Sequence, residues 1–140
     1  MKKFFYLFFV IICFNCSDNT PINNCFSGIT MDVVIDITSP EFNVEPYNLL
    51  VPGGYSINYI AGRDILILNL NNNDFRAFDL QCPERDCSSP MTYDGLLIEC
   101  QCDGKLYNRL HGGAPEDGKG CSALMYFATP LSGNRLRISR

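Results

Sequence analysis

Cys82-Pro-Glu-Arg-Asp-Cys87 and Cys100-Gln-Cys102-Asp-Gly-Lys-Leu-Tyr107 are the two segments that decide the fold. They hold four of the eight cysteines of the chain, and each follows a run of residues typical of a β-strand. Two cysteine-bearing loops at the ends of neighbouring strands form a site that either binds a metal or is cross-linked. The rest of the sequence decides between these two outcomes.

The chain has 140 residues, 46% of them hydrophobic, which predicts one globular domain with its own core. Its net charge of −4 gives no electrostatic reason to bind nucleic acid. No Ser/His/Asp set is present, because the chain contains one histidine, and no pair of carboxylates is singled out by its spacing. We therefore expect no catalytic residues, and at most a role as an electron-transfer component.

The N-terminus predicts an export signal. Lys2 and Lys3 precede an unbroken apolar run from Phe4 to Phe14, which is too short to cross a bilayer and is typical of a signal peptide. A polar segment starts directly after Cys16. We expect residues 1–15 to be a bacterial lipoprotein signal peptide, Cys16 to be lipidated, and residues 16–27 to form a tether to a membrane surface. A plain secretory signal is the alternative, and both place the domain outside the cytoplasm, in the cell envelope.

Six thiols remain if residues 1–15 are removed and Cys16 carries lipid. An even number of cysteines in an oxidising compartment indicates disulfides. These six are Cys25, Cys82, Cys87, Cys100, Cys102 and Cys121.

Apolar and polar residues alternate along much of the chain, whereas no segment shows a helical period over three turns. The fold class is therefore all-β, a small antiparallel sandwich or barrel formed by residues 28–140, with a cysteine-rich two-loop subdomain within residues 82–113. The expected strands are residues 29–37, 49–51, 55–59, 65–70, 75–80, 96–99, 106–107, 123–128 and 135–138. We expect turns at residues 71–74, at Thr92-Tyr-Asp-Gly95, and at residues 132–134.

The two cysteine segments resemble the ligand loops of the Rieske iron–sulfur family. In that family a Cys-x-His loop and a Cys-x-x-His-Gly loop on a small antiparallel β-fold hold a 2Fe–2S cluster. Cys82 and Cys100 stand at the two cysteine-ligand positions. Cys87 and Cys102 stand where the respiratory-complex branch has two further cysteines that form a disulfide. The resemblance covers most of residues 28–140 and implies a Rieske-like β-fold.

Both histidine positions of the resemblance are acidic in this chain, since they carry Glu84 and Asp103. The one histidine, His111, comes eight residues after Asp103 in a glycine-rich loop, so it cannot replace two imidazole ligands. The standard His₂Cys₂ ligand set is thus excluded, and no cofactor is expected in the standard Rieske form.

Three alternatives remain for the cysteine loops. In the first, four cysteines bind zinc or a 2Fe–2S cluster; in the second, a cluster survives with Glu84 and Asp103 as oxygen ligands. In the third, no metal is bound and the thiols pair. For this case the resemblance implies the pairs Cys82–Cys100 and Cys87–Cys102, which leaves Cys25–Cys121. The metal ligands of the first alternative are Cys82, Cys87, Cys100 and Cys102.

The predicted signal peptide favours the disulfide alternative. It has Lys2 and Lys3 but no twin arginine, which indicates export of an unfolded chain, and an iron–sulfur cluster would not survive that route. We therefore expect a membrane-anchored binding or assembly module held together by disulfides, with a protein partner that the sequence does not identify. An electron carrier with an atypical 2Fe–2S centre, docking on a redox complex, is the alternative. A four-cysteine zinc module is the weaker one.

Overall fold

The protein is described by a computed structural model that covers residues 24–84 and 87–140. The predicted signal peptide, the lipidation site Cys16 and most of the predicted tether lie outside these described residues, so they stay predictions. Within the part that is described, no helix is long and apolar enough to cross a bilayer.

Ten antiparallel strands and three short 3-10 turns make up the described chain, which confirms the all-β prediction. The strands are β1 (Asp32–Asp36), β2 (Tyr55–Ile60), β3 (Arg63–Asn71), β4 (Asp74–Asp79), β5 (Thr92–Tyr93), β6 (Leu97–Glu99), β7 (Leu106–Asn108), β8 (Ala114–Pro115), β9 (Met125–Leu131) and β10 (Arg135–Ser139). The 3-10 turns are Asn24–Phe26, Pro40–Phe42 and Arg109–His111.

The strands form two sheets. Six strands form the larger sheet in the order β1-β10-β9-β4-β3-β2, and four short strands form the smaller sheet in the order β5-β6-β7-β8. A single bridge between Gln81 and Pro90 pairs the chain segments that lead out of the larger sheet and into the smaller one. The second cysteine loop connects β6 to β7 and so belongs to the smaller sheet.

Strand β3 is apolar on both faces because each face is covered by a different core. Ile65 and Ile67 pack in one hydrophobic cluster with Phe26, and Leu66 and Leu68 pack in a second. All four are fully buried. The second cluster also contains Cys82, Cys87 and Cys100, so the cysteine loops pack against the face of the large sheet that carries Leu66 and Leu68. Burial on both faces explains the continuous apolar run in the sequence.

Two local predictions are wrong. Residues 49–51 form a turn instead of a strand, although the backbone carbonyl of Leu49 accepts a hydrogen bond from the buried Asn69 side chain at 3.0 Å. Thr92 and Tyr93 form strand β5 rather than part of a turn. The turn lies further on, where Asp94 Oδ1 accepts from the amides of Leu96 and Leu97. This side-chain acceptor satisfies two backbone donors and moves the turn by two residues.

Gly113 packs closely against Ala123, and we predict a large loss of stability for Gly113→Ala. Its φ is +78°, and an added Cβ would lie 2.9 Å from the carbonyl oxygen of Ala123. Gly112, at φ +65°, has open space around the same position. We expect Gly113→Ala to lower the unfolding free energy by about 2–4 kcal/mol, and Gly112→Ala by about 1 kcal/mol, since only Gly113 adds overlap to backbone strain. Urea denaturation measures both, and equal losses would contradict the contact.

Candidate functional site: the cysteine tip

The first cysteine loop continues strand β4. Leu80 N–H donates to the carbonyl of Asp64, and Met91 N–H donates to the carbonyl of Leu80, so the chain is held on both sides of the loop. Cys82 lies directly beyond and is fully buried. Cys87, at the far side of the loop, retains 7% of its exposure.

The second cysteine loop is the turn between β6 and β7. Cys100 N–H donates to the carbonyl of Lys105, and Gly104 N–H donates to the carbonyl of Cys100, both at 2.9 Å. Gly104 has a φ of +69°, which suits a glycine in this closed turn. Cys100 is fully buried at the end of β6, whereas Cys102 is exposed at the outer end of the turn. We call these two loops, residues 82–84 with 87 and residues 100–105, the cysteine tip.

Disulfides join all six cysteines of the described chain. The structure links Cys82 to Cys100 and Cys87 to Cys102 across the tip, with Cα–Cα distances of 5.6 and 5.7 Å. Cys25 is linked to Cys121 at a Cα–Cα distance of 6.2 Å. The first two are the pairs that the family resemblance implies for a metal-free site, and the third is the pair that remains.

The two disulfides of the tip lie side by side. The Sγ atoms of Cys82, Cys87 and Cys100 all lie within 4.8 Å of one another. The fourth sulfur of the predicted ligand set, Cys102, is not a member of this close group. Three sulfurs are thus brought together inside the tip, and one remains at its surface.

Glu84 and Asp103, at the family's histidine positions, each have a local partner. The Glu84 carboxylate lies 3.7 Å from Lys105 Nζ. Asp103 Oδ1 accepts a hydrogen bond from the amide of Lys105 at 2.9 Å, inside its own turn. Only the pairing with Glu84 uses the Lys105 side chain, and the position of Lys105 in the sequence did not reveal it.

His111 lies in the exposed 3-10 turn Arg109–His111, where its amide donates to Asn108 Oδ1 at 3.3 Å. The same Asn108 oxygen accepts from Leu110 at 2.9 Å and caps the turn. His111 is therefore a surface residue outside the cysteine tip.

A His₂Cys₂ cluster does not fit these residues. Its two imidazole positions carry Glu84 and Asp103, which offer oxygen donors only. The sulfurs of Cys82 and Cys100, which would have to be thiolates to bind iron, are bonded to each other.

Tyr107 lies beneath the tip and was not singled out by its sequence context. The side chain is fully buried, and its phenolic oxygen has no hydrogen-bond partner among the described residues. Burial raises the pKa of Tyr107 to about 12, and the negative charges of Asp103, Glu84 and Asp117 add to the rise. The phenol is neutral at physiological pH, and its desolvated hydroxyl contributes no hydrogen bond to stability.

We predict that Tyr107→Phe does not destabilise the protein. The substitution removes an unpartnered buried hydroxyl and keeps the ring that packs in the second core cluster. We expect the unfolding free energy to rise by about 1 kcal/mol, because a desolvation cost is removed and no bond is lost. Urea denaturation measures this, with Tyr126→Phe as the matched control. Tyr126 donates to Asp79 at 2.7 Å, so its loss should destabilise the protein. A loss of stability in both variants would contradict the prediction.

A buried polar network lies at the same end of β4, three residues before Cys82. The Asp79 carboxylate is 1% exposed and accepts from Arg63 Nε, from the Tyr126 hydroxyl, and from the amide of Gln81 at 2.8 Å. Burial and the hydrogen bond to Asp79 raise the pKa of Tyr126. Asp79 is thus a buried acidic residue that the spacing of the carboxylates in the sequence did not single out. The strand pattern held the signal, since Asp79 alternates with the inward residues Phe75 and Ala77.

No protein-family model matches the chain, and no curated protein matches it. Among solved structures, it is similar to a crystal structure from Mycobacterium tuberculosis provisionally described as an NADH-dependent nitrite reductase small subunit. The two chains are 14% identical, with a TM-score of 0.49, and the match covers 80% of this chain and 96% of the other. A likeness at this level assigns neither a function nor a cofactor.

Proposed function

We propose that the protein is an exported, lipid-anchored binding or assembly module of the cell envelope. It has a Rieske-like two-loop tip in which disulfides stand in place of an iron–sulfur cluster. The single observation that carries this proposal is the bond between Cys82 and Cys100, which uses both thiols at the cluster-ligand positions.

The donor set supports the loss of the cluster. Two carboxylates in place of two imidazoles would add negative charge to an iron site that already has two thiolates, and would lower its reduction potential. Glu84 instead lies 3.7 Å from the Lys105 ammonium group, and Asp103 accepts from the Lys105 backbone amide inside its own turn.

The three disulfides support an oxidising compartment. Structural disulfides persist in secreted and envelope proteins and are rare in the cytosol. They connect segments far apart in the sequence, with separations of 15, 18 and 96 residues. This agrees with the export signal predicted for residues 1–15.

A binding role is supported by the rigidity of the tip. Both loops are cross-linked, and they present exposed polar groups, such as Glu84 and Asp103, from fixed positions. Loops held by a rigid scaffold lose little conformational entropy on association.

Mass, visible absorption and metal content decide whether the cysteines are paired or bind a metal. We would export the full chain from its own signal, purify it under air, and measure its mass before and after reduction, its visible spectrum, and its iron and zinc content. Three disulfides predict a colourless protein that lies six hydrogen atoms below the reduced chain and reacts with no thiol reagent until reduced. Four reactive thiols, bound iron or bound zinc would overturn the proposal.

The anchor is tested separately by a pair of cysteine variants. Cys16→Ala should release the protein from the membrane fraction, because the lipid attachment site is lost. Cys13→Ala, three residues earlier in the apolar segment, should leave it membrane-bound and is the matched control. Release by Cys13→Ala alone, or by neither variant, would contradict lipidation at Cys16.

The alternative function, electron transfer through an atypical 2Fe–2S centre, is favoured by one observation. Cys82, Cys87 and Cys100 place three sulfurs within 4.8 Å, as a set of metal ligands would. Anaerobic reduction followed by iron–sulfide reconstitution tests it. A low-temperature electron paramagnetic resonance signal that disappears in Cys82→Ser would support a cluster, and zinc uptake without iron would support the zinc alternative.

A further inference from the structure

We propose that the cysteine tip is a thiol–disulfide exchange site, at which a dithiol protein reacts with Cys102 and the exchange then passes to the buried Cys82–Cys100 bond. This inference rests on the proposed function in one respect, namely that the four thiols are paired rather than bound to a metal. It adds an activity that a purely structural cross-link does not have.

The two ends of the outer disulfide differ in access. Cys102 is exposed, whereas Cys87 is 7% exposed. An incoming thiolate therefore reaches the Cys102 sulfur, and the sulfur that leaves is Cys87. Because Cys102 is the accessible end, the attack releases the Cys87 thiolate, which lies on the inner side of the broken bond.

The released thiolate lies next to its own target. The Cys87 Sγ is within 4.8 Å of the Sγ atoms of both Cys82 and Cys100, which are themselves fully buried and closed to external thiols. A nucleophile held beside its target reacts far faster than the same group in solution. The inner disulfide is therefore reachable only through Cys87.

The electrons balance in three steps. The partner thiolate attacks Cys102 Sγ, which breaks the Cys87–Cys102 bond and forms a mixed disulfide between the partner and Cys102. The Cys87 thiolate attacks Cys82 or Cys100, which forms a new disulfide and releases the other sulfur as a thiolate that takes up a proton. The second thiol of the partner attacks the mixed disulfide, leaving the partner oxidised and Cys102 as a thiol. Two electrons pass from the partner to the tip.

The third disulfide stays outside this exchange. Neither Cys25 nor Cys121 belongs to the close group of sulfurs in the described chain. The expected partner is a protein with two vicinal thiols of the thioredoxin class, because the last step needs a second thiol close to the first.

A matched pair of variants tests the relay. Cys102→Ser and Cys87→Ser remove the same disulfide, but the first leaves a free thiol beside the inner bond and the second leaves it at the surface. Each full-length variant is incubated at neutral pH, quenched with acid, denatured, alkylated and mapped by mass spectrometry. We expect alkylated Cys82 or Cys100 to be about tenfold more abundant, or more, in Cys102→Ser than in Cys87→Ser. Alkylation of Cys87 alone in Cys102→Ser would overturn the relay.

The wild-type chain provides a second measurement if a variant fails to fold. One equivalent of reduced thioredoxin-type protein should leave Cys102 free together with Cys82 or Cys100, and a new disulfide that contains Cys87. Recovery of Cys87 and Cys102 as the two free thiols, with Cys82–Cys100 intact, would overturn the proposal. The mass of the unreduced protein tests the pairing itself, so a failed relay is distinguishable from a failure of the proposed function.

Discussion

Replacing Cys25 and Cys121 together by alanine is expected to lower the unfolding free energy by about 4–5 kcal/mol. The bond joins residues separated by 96 positions, the longest of the three separations. A disulfide restricts the unfolded chain, and the entropy that it removes increases with the length of the loop that it closes. It also holds the 3-10 turn Asn24–Phe26, whose Phe26 is buried in the first core cluster.

The control is the double variant Cys82→Ala/Cys100→Ala. That bond closes a separation of 18 residues, and Cys87–Cys102 still links the same two loops, so the loop-length argument gives at most about 3 kcal/mol. Guanidinium denaturation under non-reducing conditions measures both variants. If the short-loop variant loses clearly more stability than the long-loop variant, burial of the tip sulfurs outweighs the unfolded-state entropy and the ranking is wrong.

Asp79→Asn is expected to lower the unfolding free energy by about 3 kcal/mol. The carboxylate is buried and pairs with Arg63, whose side chain is 23% exposed. Removing one partner leaves a guanidinium without its counter-charge, a change that costs about 3–5 kcal/mol at buried sites. We take the lower end because Arg63 can be hydrated in part.

The matched control is Asp32→Asn in the exposed pair with Arg137. Its two hydrogen bonds from Arg137 are both 2.7 Å long, but both side chains are at least half exposed. Two exposed charges are already hydrated, so their pairing adds little to the unfolding free energy. We therefore expect the denaturation midpoint to stay unchanged. Urea denaturation of both variants separates burial from pairing. Equal losses at Asp79 and Asp32 would show that the charge pair matters and its burial does not.

The sequence predicted the fold correctly where a local residue pattern depends directly on tertiary packing. The run Ile65 to Leu68 is apolar on both sides because two cores meet at this strand. The cysteine register placed Cys82 and Cys100 on facing loops, because a ligand pair and a disulfide both require close sulfurs.

The remaining features depend on contacts between distant residues. Lys105 pairs with Glu84 across 21 positions, and no local pattern records that distance. The short strand β5 was missed because Thr92 and Tyr93 pair only through the hairpin that Asp94 closes. Asp79 was not singled out in the sequence, although it alternates with Phe75 and Ala77, which point inward. Three hydrogen-bond donors explain why its burial is tolerated.

The Cys25–Cys121 bond has a mechanical consequence. A load applied between the two ends of the chain bypasses everything between these cysteines, because the covalent bond carries the tension and the enclosed strands cannot be pulled out in sequence. Between Cys121 and Arg140, 19 residues can extend, a length of about 65 Å. They include β9 and β10, which pair with each other; β10 also pairs with β1, and β9 also pairs with β4. Under force the segment from Cys25 to Cys121 therefore behaves as a closed ring.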